Sequence, residues 1–136
     1  MLLLDTCALI WLANGERMSG ESIAAIEQAA INNGVLISPV SAWEIGLLAA
    51  SKKAPVRFNP SAQQWFATLL DRPGVELVEF SPEAAIEASF LPGPLHGDPG
   101  DRLLIATARQ LDVPLVTRDS RIIEYAREGH VKVLVC

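Results

Sequence analysis

The sequence of 136 residues has few cysteines, few aromatic residues and no long uninterrupted apolar segment. Its two cysteines, Cys7 and Cys136, exclude a disulfide framework and a thiolate metal cluster, and we interpret both as buried thiols. The apolar amino terminus contains Asp5 and lacks the basic flank of a signal peptide. No segment approaches the about 18 apolar residues of a membrane helix. We therefore expect a cytoplasmic protein that does not enter a membrane.

Basic residues are also scarce. The chain has 11 Lys and Arg against 16 Asp and Glu, which gives a formal charge of -5. Nucleic acids select basic surfaces, so this balance taken alone argues against a nucleic-acid partner. Half of the residues are apolar. That fraction is enough to bury the core of a single domain spanning residues 1–136.

Short apolar runs alternate with longer segments of helical periodicity. Such short apolar strands are typical of a parallel sheet that is covered on both faces. Strands separated by helices predict an α/β fold with a mostly parallel sheet. The predicted strands, about five in number, are Leu2–Leu4, Val35–Ile37, Glu76–Glu79, Leu115–Thr117 and Val131–Val135.

Several predicted helices begin at a capping residue followed by proline, a pairing typical of helix starts. The pairs are Ser38-Pro39, Asn59-Pro60, Ser81-Pro82 and Asp98-Pro99. Residues 91–97 are long enough to return the chain along the sheet before the last of these helices. The helix that begins at Asp98 is therefore expected to start at the carboxyl edge of the strands.

Four carboxylates follow strand ends or lie near helix starts at this edge. Asp5 directly follows the first strand, and Glu44 lies within two turns of the helix after the second strand. Asp101 lies in the first turn of the helix before the fourth strand, and Asp119 follows that strand by two residues. Parallel α/β sheets bind ligands at this edge. Structural roles remain open, because Asp98 with Asp101 resembles a capping pair, Asp119 suits an N-cap and Asp5 suits a turn.

Clustered carboxylates repel one another and raise their own pKa values unless a cation lies among them. Oxygen ligands without cysteine or a histidine pair favour Mg²⁺ or Mn²⁺ over Zn²⁺. Such an ion meets phosphate oxygens, as in metal-assisted phosphodiester hydrolysis. Setting aside Asp5, Glu44, Asp98, Asp101 and Asp119 leaves 11 acidic against 11 basic residues. The negative charge therefore predicts a cation cofactor and does not exclude a phosphate-bearing partner.

Four segments, taken in order, resemble the acidic motifs of PIN-domain ribonucleases, and more narrowly those of VapC-type toxins of toxin–antitoxin pairs. The segments are LLLDTCALIWL, SPVSAWEIGLL, HGDPGDRLLIATA and LVTRDSRI, and they span residues 2–123. The resemblance implies a three-layer α/β/α PIN-like domain. One departure is Gly100, because related sequences commonly read DPFDRLL with an aromatic residue at that position. Glycine lowers helix propensity, so we expect a looser helix start there.

The resemblance also implies an activity and the residues that perform it. It implies cleavage of RNA by an endonuclease that uses one or two Mg²⁺ or Mn²⁺ ions. The implied metal-binding and catalytic residues are Asp5, Glu44, Asp101 and Asp119. Hydroxyl groups and a further acid beside them are auxiliary candidates: Thr6, Thr117 and Asp98.

Arginines near the acidic motifs, and two lysines in the turn between two predicted helices, are candidates for contacting the RNA backbone. They could equally form a solvated face. The candidates are Arg102, Arg109, Arg118, Arg121, Lys52 and Lys53. His96 has two interpretations: it contacts substrate or acts in proton transfer, or it orders its own loop.

Three tryptophans, Trp11, Trp43 and Trp65, lie in apolar helical segments, and we interpret them as core or interface residues. The apolar helix faces are generous for a chain of this length, which favours a homodimer and a protein antitoxin as partners.

Two alternatives to the ribonuclease remain. A haloacid-dehalogenase-type phosphatase also begins with a strand and Asp, but it requires a second Asp where Cys7 stands. A catalytically inert PIN fold could bind RNA or protein, although the complete set of acids argues against it. A P-loop nucleotide-binding protein is excluded because the G-x-x-x-x-G-K-[ST] motif is absent.

Overall fold

The computed structural model describes all 136 residues, which form five strands and seven helices. The strands are β1 (Leu2–Leu4), β2 (Val35–Ile37), β3 (Val75–Leu77), β4 (Leu115–Thr117) and β5 (Val133–Val135). The helices are α1 (Thr6–Asn14), α2 (Gly20–Ala30), α3 (Pro39–Ala50), α4 (Ala62–Leu70), α5 (Pro82–Glu87), α6 (Pro99–Leu111) and α7 (Ser120–Arg127). None of these helices is long and apolar enough to cross a membrane.

The strands form one sheet in the order β3-β2-β1-β4-β5, and every neighbouring pair is parallel. The central strand β1 pairs with both β2 and β4, and Leu3 lies opposite Leu36 on one side and Leu115 on the other. The chain therefore reverses its direction of progress across the sheet between β1 and β4. Ligands of parallel sheets bind beyond the strand ends at such a reversal. The predicted parallel sheet is confirmed, and its reversal lies where Asp5 and Asp119 follow their strands.

The sheet separates two hydrophobic cores. Leu3 packs with residues of α5, α6 and α7, whereas Leu2 and Leu4 pack with residues of α1, α2 and α4. This division follows from the alternation of side chains along a strand, which sends successive residues to opposite faces. Helix α3 contributes to both cores, through Val40 on one face and Ile45 on the other. The arrangement is the predicted three-layer α/β/α domain.

Most of the predicted helix starts are confirmed, and one is wrong. Ser38, Ser81 and Asp98 each cap a helix whose first residue is proline. The helix expected at Asn59-Pro60 instead begins at Ala62, and its cap is Ser61, whose hydroxyl accepts a hydrogen bond from the Gln64 amide at 3.1 Å. A serine hydroxyl next to the first turn satisfies an amide that would otherwise lack a partner.

Gly74 forms the turn into β3, and both its backbone conformation and its surroundings require glycine. Its φ is +84°, and a Cβ built on it would lie 2.5 Å from the Ala30 carbonyl oxygen. Gly15 also has a positive φ, +69°, but a Cβ there would meet no atom within 4 Å. A comparison of the two glycines therefore distinguishes the free-energy cost of the backbone conformation from that of a steric clash.

We expect Gly74→Ala to destabilise the protein more than Gly15→Ala does. Backbone strain costs about 1 to 3 kcal/mol at either position. The clash with Ala30 adds to that strain only at Gly74. Urea unfolding of both variants measures the difference, and equal losses would contradict a steric role for the Ala30 contact.

Candidate active site at the carboxyl edge of the sheet

The four predicted carboxylates line one cavity of about 290 Å³. The cavity lies where the carboxyl ends of β1 and β4 meet the first turns of α1 and α6 and the second turn of α3. Its lining residues are Asp5, Thr6, Cys7, Trp11, Glu44, Asp101, Arg118 and Asp119. The topology thus brings together side chains that are up to 114 positions apart, as the strand-end positions predicted.

Asp5 is the most buried of these acids, with only 7% of its surface exposed. It caps α1, and its Oδ1 accepts a hydrogen bond from the Ala8 amide at 2.7 Å. Burial raises the pKa of Asp5, although hydrogen bonds from the Thr117 side chain and Ala8 favour the ionised form. The negative charges of Asp101 and Asp119 raise it further. Thr117, an auxiliary candidate, therefore acts directly on the buried acid.

Glu44 projects from α3 and is held by the second auxiliary hydroxyl. The Thr6 hydroxyl donates a hydrogen bond to Glu44 Oε1 at 2.5 Å and lies 3.0 Å from the Ser41 hydroxyl. Burial raises the pKa of Glu44, the Thr6 hydrogen bond lowers it, and the nearby Asp101 raises it again. The Glu44 carboxylate is thus held by a hydrogen bond, while burial and the charge of Asp101 disfavour its ionised form.

Asp101 is bound by His96, the residue with two sequence interpretations. His96 Nε2 lies 2.7 Å from Asp101 Oδ2, and its Nδ1 is buried without a hydrogen-bond partner. The Asp101 amide donates to Asp98 Oδ1 at 2.9 Å, which confirms Asp98 as a cap. Burial raises the pKa of Asp101, His96 opposes this, and Asp98 and Asp119 reinforce it. His96 therefore contacts one of the four acids directly, in addition to any role in ordering its own loop.

Asp119 differs from the other three acids because an arginine side chain donates hydrogen bonds to it. It caps α7, and Arg121 Nη2 lies 3.1 Å from its Oδ2. Burial acts to raise the pKa of Asp119, but the hydrogen bonds and charge of Arg121 hold it below its ordinary value. The same Arg121 nitrogen lies 3.8 Å from Asp101 Oδ2. Arg121 is thus the one predicted RNA-binding residue whose cationic group lies against these acids.

Comparison with known proteins matches the PIN-domain family model to residues 2–128. This chain belongs to the PIN-domain family. It is 32% identical to Ribonuclease VapC22 of Mycobacterium tuberculosis over 122 residues, which cover 89% of this chain and 88% of that protein. The family match removes the haloacid-dehalogenase alternative.

Solved structures share the fold of this PIN domain at low sequence identity. The structure of VapBC2 from Rickettsia felis bound to a promoter DNA fragment superposes with a TM-score of 0.69 at 21% identity, covering 98% of this chain and 97% of that one. FitAcB from Neisseria gonorrhoeae gives a TM-score of 0.63 at 21% identity, covering 98% and 96%. At these identities the comparison establishes the fold.

Most of the other basic residues predicted to contact RNA bind the backbone of this chain itself. Arg102 donates to the carbonyls of Ala88, Leu95 and His96 and so holds the loop over residues 91–97. Arg109 pairs with Glu87. The structure brings neither arginine to the cavity. Both guanidinium groups support the fold in this structure, and a contact of either with RNA phosphates stays a prediction.

The remaining basic candidates divide between the cavity wall and a distant turn. Arg118 lines the cavity, but its guanidinium lies 3.8 Å above the Trp11 ring and donates to the carbonyls of Cys136 and Arg17. Lys52 and Lys53 are exposed in the segment between α3 and α4, outside the cavity. Trp11 therefore serves as packing for Arg118.

Cys7 departs from its expected burial, whereas the exposure of Trp43 selects one of its two predicted roles. Cys7 is exposed, whereas Cys136 is buried as predicted. Partial burial and the surrounding carboxylates raise the pKa of Cys7 to about 11, so its thiol stays protonated at neutral pH. Trp43 is 48% exposed on α3, which fits an interface residue better than a core residue.

The donor chemistry of the cavity fits a hard divalent cation, but its ligand geometry is not preformed. No three His, Cys, Asp or Glu side chains lie close enough together to hold one metal ion. Burial nevertheless raises the pKa of Asp5, Glu44 and Asp101, and their mutual repulsion adds to it. A cation stabilises buried carboxylates that repel one another, and their oxygen atoms are ligands suited to Mg²⁺ or Mn²⁺.

Glu44→Gln should stabilise the metal-free protein in a pH-dependent way. Because burial raises the Glu44 pKa in the folded chain, ionisation of Glu44 opposes folding. That penalty is absent below the pKa of an unfolded glutamate and complete above the raised folded pKa. We therefore expect the variant to gain more unfolding free energy at pH 7 than at pH 4, measured by urea unfolding with EDTA.

Glu27→Gln, on the exposed side of α2, is the matched control and should show no comparable pH-dependent gain. An equal gain for Glu44→Gln at both pH values would contradict the effect of burial.

Proposed function

We propose that this PIN domain is a divalent-cation-dependent endoribonuclease and the toxin of a toxin–antitoxin pair. One observation carries the catalytic part of the proposal: four carboxylates share a cavity at the sheet reversal. Three of them have raised pKa values. Its relative VapC22 is named a ribonuclease, which supports RNA as the substrate.

The cation would be held by Asp5, Glu44, Asp101 and Asp119. When bound, Mg²⁺ or Mn²⁺ supplies positive charge at the scissile phosphate and an activated water molecule. We propose that one or two ions bind, and titration with metal determines the number.

The side chains around the acids orient them for this role. Thr6 fixes the Glu44 carboxylate, and His96 fixes that of Asp101. Such supporting hydrogen bonds limit the rotamers that an acid can adopt before the substrate arrives. The side chain of Arg121 is 58% exposed, so it can also reach an RNA phosphate at the rim of the cavity.

A protein antitoxin is the proposed partner. VapBC from Salmonella typhimurium, a DNA-bound complex, shares this fold, with a TM-score of 0.62, and a structural relative from Klebsiella pneumoniae is described as a toxin-antitoxin complex. Exposed apolar side chains on this chain, Trp43 and Leu47 on α3, provide surface that a partner could cover. The homodimer is also a proposal, for which Ile86 and Phe90 provide exposed apolar surface.

Asp5→Asn and Asp101→Asn should each reduce RNA cleavage by about a hundredfold or more, the loss expected when about 3 kcal/mol of charge stabilisation is removed. Asn preserves the cap at Asp5, so α1 should remain folded. Cleavage of labelled RNA with Mg²⁺ or Mn²⁺ and with EDTA provides the measurement, and circular dichroism confirms folding.

Asp71→Asn, at an exposed position after α4, is the matched control and should cleave at the unmodified rate. Folded Asp5 or Asp101 variants that cut RNA as fast as this control would overturn the site assignment. An unmodified chain that neither cuts RNA nor binds metal would favour the inert PIN fold.

A further inference from the structure

Gly100 lies directly beneath the Glu44 carboxylate. It is buried at the second position of α6, between Pro99 and Asp101. A Cβ built on Gly100 would lie 2.5 Å from Glu44 Oε2, 2.6 Å from Cδ and 3.1 Å from Oε1. All three nearest atoms belong to that one carboxylate. The space that a side chain would fill at position 100 is therefore occupied by Glu44.

The backbone of Gly100 does not itself require glycine. Gly100 is helical and is not among the glycines with a positive φ. Alanine favours a helix more than glycine does. The sequence predicted only a looser helix start at this position, but the contact with Glu44 provides a spatial reason for the missing side chain.

Glu44 cannot move away from position 100 without losing another contact. The Thr6 hydroxyl donates to Glu44 Oε1, and Thr6 is itself close to Ser41. The carboxylate is thus held between a hydroxyl on α1 and the backbone of α6. Because Glu44 is only half-buried, a shift of its carboxylate would cost the fold little. The same shift would move a carboxylate that lines the cavity.

We propose that Gly100 is a positioning residue, whose lack of a side chain lets the Glu44 carboxylate lie against α6 at the metal site. This inference rests on the proposed function.

Gly100→Ala tests the proposal through metal affinity and stability together. We expect Mn²⁺, titrated by calorimetry, to bind about tenfold more weakly, the lower end of the losses seen when support for a metal ligand is removed. The melting temperature without metal should stay the same or rise, because alanine favours the helix. Gly46→Ala is the matched control on α3, since a Cβ there would meet no atom within 4 Å, and it should leave Mn²⁺ affinity unchanged.

A double-mutant cycle with Glu44→Ala shows whether the effect passes through Glu44. In that background the carboxylate is absent, so adding Gly100→Ala should leave Mn²⁺ affinity unchanged. An equal loss in both backgrounds would overturn the inference, because the substitution would then act through Asp101 or the helix start. Equal Mn²⁺ affinities of the unmodified chain and Gly100→Ala would also overturn this inference, but not the proposed function. Failure of the unmodified chain to bind Mn²⁺ would overturn the proposed function, and this inference with it.

Discussion

The repulsion among carboxylates gathered at one edge of the sheet is the constraint on which the rest of the site depends. Asp5 is buried, and Glu44 and Asp101 are partly buried beside it. Bringing like charges out of water is unfavourable unless other groups compensate them. The neighbouring side chains provide that compensation: Thr117 to Asp5, Thr6 to Glu44, His96 to Asp101 and Arg121 to Asp119. The compensation is partial, because three of the four pKa values remain raised.

Helix starts supply much of the remaining stabilisation. Asp5, Asp98 and Asp119 each accept a hydrogen bond from an amide in the first turn of the helix that follows. The amino end of a helix carries partial positive charge, which favours a carboxylate there. The capping and functional interpretations of these acids are therefore compatible. Asp5 and Asp119 each accept a helix amide and also line the cavity.

The sequence was sufficient to predict the layers of the fold and the convergence of the acids. Both depend on local signals, namely short apolar strands and acids at strand ends, and on the general rule that parallel strands end at one edge. The start of α4 was predicted at Asn59 and lies after Ser61 because two adjacent segments carried competing capping signals. Such boundaries depend on which side chain reaches the first free amide.

The partners of individual side chains could not be predicted in the same way. The sequence around Arg102 is the same whether its guanidinium contacts RNA or a carbonyl of its own chain. The contact of Gly100 with Glu44 joins positions 56 apart, and no periodicity in the sequence encodes it. The exposure of Cys7 depends on the path of α1 beside the cavity. These features require the tertiary arrangement.

The three carbonyl contacts of Arg102 affect how genetic data on this chain would be interpreted. Arg102 follows Asp101 directly, and it holds the backbone of the loop that carries His96. A selection for inactive variants would recover substitutions at this arginine, and its charge and position would suggest a lost contact with the nucleic acid. Losing the carbonyl contacts would release the loop that positions His96 beside Asp101. A phenotype at Arg102 is therefore expected from the scaffold alone, whether or not this arginine also contacts RNA.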